Sequence, residues 1–134
     1  MGQLNQTLNT LDRFNVSFSV ILDGNSGSDM RNPDNLGTSK KSLMIQEDLS
    51  DYNRIDNGVN ARILKYDLST LTLEPVAIID QSLNSSEDQI TGQWESSGIV
   101  EAFDVFGQGT WLLNTQTHDS NEGGQLLLMN IPHS

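Results

Sequence analysis

The chain contains no cysteine, which excludes disulfides, thiolate zinc sites and a cysteine nucleophile. Its two histidines are too few for a histidine-rich metal centre. Basic residues are scarce as well: 7 Lys and Arg stand against 18 Asp and Glu, a formal charge of −11. A surface of that sign does not neutralise nucleic-acid phosphates and is repelled by an anionic membrane, so neither partner is expected. Long apolar runs are missing too. None approaches the ~18 residues that a membrane helix needs, and the N-terminus lacks the charged and apolar regions of a signal peptide. At 134 residues the chain suits one domain with a modest core. The classes left are a hard-cation binder and a structural domain, since carboxylates and carbonyls suit calcium-like ions.

What is present is a row of short strands. Phe14, Val16, Phe18, Val20 and Leu22 alternate with polar neighbours, the period of a half-buried strand. Further runs follow at Ser42–Glu47, around Ile63–Leu68, at Val76–Ile79, Gly98–Val100, Trp111–Leu113 and Leu126–Met129. Each is bounded by Gly, Asn, Asp, Ser or Pro, which turn chains through positive φ or side-chain caps. Only residues 2–12 carry helical spacing, with Leu4, Leu8 and Leu11, and a polar leader over 1–13 explains them equally well. The expected fold is all-β.

A weak internal repeat narrows this further. Residues 43–48 align with 112–117 and residues 62–67 with 125–130, a period near 60. That pattern fits a partial β-propeller of about two four-stranded antiparallel blades, the first over 33–80 and the closing one over 94–134, preceded by a strand and loop over 14–32. The second copy stops one strand short. Two blades leave broad apolar faces uncovered, so the segment is expected to be completed by copies of itself or by the remaining blades of a longer chain. The strand read at 14–22 is a candidate for the absent outer strand.

Four clusters could carry chemistry. Asp29–Leu36 places Asp34 and Asn35 at a strand start, with Pro33 expected to hold Asn32 extended. Gln46-Glu47-Asp48 ends the next strand; Glu47 shares a side with Leu43 and Ile45, and an inward carboxylate needs a cation or several donors. Glu95, in Trp94-Glu-Ser-Ser-Gly98, occupies in the second copy the place of Asp34 in the first. His118 follows Asn114-Thr-Gln-Thr and is a candidate metal ligand or proton donor, or simply a loop residue. Asp23–Asp29 is rich in oxygens but lacks the EF-hand spacing, and reads as a flexible connection.

Arg31-Asn-Pro-Asp-Asn-Leu followed by Leu43-Met-Ile-Gln-Glu-Asp resembles the C-terminal part of the PhoX-type alkaline phosphatase family of β-propellers. Trp94-Glu-Ser-Ser-Gly, Thr110-Trp-Leu-Leu-Asn-Thr-Gln-Thr-His118 and Glu122-Gly-Gly-Gln-Leu-Leu-Leu are similar to that family's closing blade, so the likeness spans roughly residues 18–132. It implies a calcium-dependent phosphoesterase, with iron as well in some members, located in the periplasm or outside the cell. By motif, Asp34 and Glu95 would be metal ligands, with Asn35 beside Asp34; Glu47 matches by position only. His118 falls near the family's histidine, and Arg31 is the arginine closest to the proposed site. The family's Arg-Pro-Glu-Trp segment and metal-bridging cysteine have no counterpart in these residues. The expectation is therefore a piece that contributes metal ligands and does not turn over a phosphate ester alone.

Overall fold

The computed structural model describes residues 16–48, 60–80, 94–117 and 123–132. The leader over 1–13 and His118 lie outside them. The chain is all-β, as its periodicity implies. Strands β1 (Pro33–Thr38), β2 (Ser42–Glu47), β3 (Arg62–Asp67) and β4 (Thr72–Ile78) form one antiparallel sheet in chain order. Strands β5 (Trp94–Glu101), β6 (Thr110–Thr117) and β7 (Gln125–Asn130) form a second. The repeat coincides with strand order: 43–48 and 112–117 fall on the second strand of each sheet, 62–67 and 125–130 on the third. As the alignment indicates, the second sheet has three strands among the described residues.

Turn chemistry sets the hairpins. Between β3 and β4 the Asp67 carboxylate accepts from the amides of Ser69 and Thr70 and from the Ser69 hydroxyl. These bonds, the Ser69 hydroxyl first, hold its acid group down to about 2. Between β1 and β2, Ser39 Oγ accepts from the amides of Lys41 and Ser42. Between β5 and β6 the chain makes a one-turn helix, α1 (Phe103–Phe106), that hydrophobic spacing did not reveal because four residues are too few to show a period.

The core lies between the sheets. Met44 and Ile63 pack against Trp111 and Leu113, with Val76, Ile99 and Met129 at the margin. Gly37 makes the close approach possible. A Cβ there would sit 2.9 Å from the Ile99 carbonyl oxygen and 3.1 Å from the Trp111 ring. The backbones approach along β1 with β5, then β2 with β5, so the sheets meet at their leading strands. They do not close into a ring.

Two local expectations are corrected. Residues 16–22 form no strand: Val16, Phe18 and Val20 are exposed and have no ladder partner, although the alternating pattern is present. Alternation selects a face but supplies no neighbour to bond, and strands form by pairing. Asn32 is not extended but left-handed, with φ 37°, which Asn tolerates better than most residues. Its carbonyl accepts from the Asp48 amide at 2.9 Å and so extends the β1–β2 pairing.

Replacing Gly37 with valine is expected to lower the thermal midpoint more than replacing exposed Gly123 with alanine. The first forces a branched side chain into backbone, whereas a Cβ at Gly123 meets nothing within 4 Å. A larger drop at position 123, measured by circular dichroism, would show that the sheets do not pack through Gly37.

Candidate functional site

Side chains of β2 alternate between two buried environments. Met44 packs into the core against the second sheet, so Gln46 points the same way; Leu43, Ile45 and Glu47 point to the far side of the first sheet. That far side is covered by residues 19–31, which form a groove with Val20, Leu22, Met30, Leu36, Leu43 and Ile45 among its walls. Glu47 has no exposed surface. Its phase with Leu43 and Ile45 predicts an inward side chain, and it is buried.

Its charge is met by two arginines. Glu47 Oε1 accepts from the Arg31 amide at 2.8 Å and from Arg62 Nη2 at 2.7 Å. Oε2 accepts from Arg31 Nη2 at 3.1 Å, the Arg62 amide at 3.1 Å and Arg62 Nε at 2.9 Å. Arg62 also grips Asp29, with Nη1 2.7 Å from Oδ2 and Nη2 2.8 Å from the carbonyl oxygen. Burial alone would push the Glu47 carboxyl up, but donation from Arg62 and Arg31 outweighs it and holds the group below its ordinary 4.5. The hydrogen bond from Arg62, then its charge, likewise holds Asp29 below 3.8. The Arg62 guanidinium is raised in return by Glu47 and Asp29.

This hub ties residues 29–31 to the ends of β2 and β3 and so fixes how the chain enters β1. Asp34 follows directly. It is the extra residue of a bulge, where the pairing steps from Pro33 with Glu47 to Asn35 with Gln46. Its exposed carboxylate reaches the groove wall, and its Oδ2 accepts from Asn35 Nδ2 at 2.7 Å. Glu95 takes the same place in the second sheet, second residue of the leading strand, but is buried and accepts from Gln116 Nε2. Ser96 and Thr115 pair across β5 and β6, as do Glu95 and Gln116 one step along, so the two pairs occupy opposite faces.

Asp34 and Asn35 are thus brought together, and Arg31 and Glu47 are brought together. Among the described residues no group of three or more His, Asp or Glu converges as a metal site. Both Glu47 oxygens are engaged by donors of two cationic side chains, and Arg31 Nη2 is shared between Glu47 and the Asn60 carbonyl. Arg62 and Asp29 were not singled out by sequence. The signal was present: Arg62 is in phase with Leu64 and Tyr66, both buried, and a cation on a buried side requires an acid. The Asp23–Asp29 stretch is a closed turn, in which the Asp23 carboxylate accepts from the Asn25 amide at 2.9 Å and the Ser26 hydroxyl at 2.8 Å.

No family model, curated protein or solved structure matches the chain.

Two outcomes follow from the hub. Glu47→Gln is expected to lower stability at pH 7 by about 3 kcal/mol, because two arginines lose a buried counter-charge; urea unfolding reads this, and a loss under ~1 kcal/mol would contradict it. The second concerns acid. Glu47, Asp29, Asp23 and Asp67 all have depressed folded pKa values, so their stabilisation is present above the ordinary 4.5 and 3.8 and is lost as pH falls through the folded values, which for Asp67 is about 2. The thermal midpoint should fall between pH 4.5 and pH 2, and less steeply in Glu47→Gln; parallel slopes would remove Glu47 from the cause.

Proposed function

We propose that this chain is a two-blade part of a ring-shaped, calcium-dependent phosphoesterase of the PhoX type, and that it supplies metal ligands without turning over substrate alone. The observation that carries the reading is positional. Asp34 and Glu95 are the second residues of β1 and β5, the leading strands along which the two sheets approach, and each lies in the motif that resembles that family. Asp34 lines the outer groove of the first sheet and Glu95 lies on the face of the second sheet opposite Ser96 and Thr115, so each carboxylate would meet an ion together with ligands from other blades, not with the other carboxylate. Calcium takes six to eight oxygens, more than these groups offer, so other blades complete the shell. The bound ion would polarise a phosphate oxygen and lower the pKa of water. Asn35 orients the Asp34 carboxylate through its 2.7 Å hydrogen bond. Arg31 and Glu47 belong to the hub that sets the Asp34 bulge in place, one step back from the ion.

A second reading is a non-catalytic β module that assembles with copies of itself or with other blades. Its supporting observation is the outer side of the second sheet, where Val100, Leu126 and Leu128 are exposed at 59%, 75% and 52%. An apolar face of this kind marks a contact surface.

Calcium titration separates the two. Under the first reading Asp34→Asn weakens calcium binding about tenfold or more, a loss of roughly 1.4 kcal/mol, while Asp104→Asn on the exposed α1 leaves it unchanged. Equal effects would place the ion elsewhere. Hydrolysis of p-nitrophenyl phosphate by a size-fractionated sample, with and without calcium, adds the activity readout.

A further inference from the structure

Four side-chain atoms between the sheets have no hydrogen-bond partner in the protein: Gln46 Oε1 and Nε2, Ser96 Oγ and Thr115 Oγ1. Their residues are 0%, 3% and 7% exposed. They share one layer. Gln46 is in phase with core Met44, Thr115 with core Leu113, and Ser96 is the cross-strand partner of Thr115. β2 and β5, which carry Gln46 and Ser96, are in contact. Three buried side chains with orphaned polar atoms, left dry, would each cost about 1–3 kcal/mol.

We propose that Gln46, Ser96 and Thr115 enclose ordered water between the two sheets. Two features favour water over an ion. Each side chain both donates and accepts, as water does, and all three are neutral, so the layer supplies no negative charge to hold a cation. Space follows from side-chain size. Packed sheets stand about 10 Å apart, and Ser and Thr reach only a short way into that gap where Trp111 and Leu113 fill it lower down. A buried water typically makes about three hydrogen bonds, and two side chains of the second sheet with one of the first supply them. The layer closes the apolar core at the end where Glu47 and Glu95 lie, and it does not depend on any metal or ester chemistry.

The test is the sign of an apolar replacement, together with direct detection on the unaltered chain. With water present, Gln46→Met removes its partners across the gap and lowers the thermal midpoint by about 4 °C or more. With a dry layer the same change relieves two orphaned atoms and raises the midpoint, which would overturn the proposal. Nuclear Overhauser transfer from water to the Gln46 side-chain amide, measured on the unaltered protein, should show a long-lived contact. Its absence at an assigned Gln46 amide would overturn the proposal even if Gln46→Met fails to fold.

Discussion

A carboxylate with no exposed surface has to be neutralised inside the protein, and Glu47 does this through five N–H donors from two arginines. Much of the first sheet is arranged around that requirement. Arg62 must stand at the start of β3, where its own amide and its guanidinium reach the same group. Arg31 must arrive just ahead of β1, so the chain crosses the ends of β2 and β3 before it turns. Asp29 takes the part of Arg62 that Glu47 leaves over. An isolated ion pair of this kind adds little net stability over an apolar filling, but removing one member strands the others. Its effect is on geometry: it fixes the path into the Asp34 bulge.

The second constraint is apolar. The sheets pack through Met44, Ile63, Trp111 and Leu113, and Gly37 lets β1 come up to Ile99 without a side chain between them. Each sheet therefore has one face in the core. The far face of the first is overlain by residues 19–31, which the hub holds beside Ile45 and Leu64. On the far face of the second, Val100, Leu126 and Leu128 are exposed among the described residues.

The sequence showed the fold better than the site. Ser42–Glu47 was read with the same bounds as β2, because six residues between a Ser-rich turn and an acidic stretch leave little choice of start and stop. The repeat could be seen because it repeats strands, and strand order is what it recovered. Residues 14–22 misled because a period of two states which side could be buried, not what lies beside it. Glu47 was recognisable as inward, but its neutralising partners were not: Arg31 is 16 positions away and Arg62 15, and no local spacing joins them. Ser96 and Thr115 lie within the Trp94–Gly98 and Asn114–His118 clusters but carry no signal of their own, since buried hydroxyls read as ordinary polar strand residues.

Among the described residues β7 is an edge strand, and this has a wider consequence. Gln125–Asn130 carries no charge and no proline, and three successive leucines along it are exposed at 75%, 38% and 52%. Its outward amides and carbonyls form a template on which another copy could add a strand. What opposes such self-templating is the surplus of 11 negative charges, which keeps like chains apart at long range. That protection is electrostatic and shrinks with ionic strength, to a reach of about 10 Å in 0.1 M salt. Colloidal behaviour of this protein is therefore governed by its counter-ions as much as by its own surface.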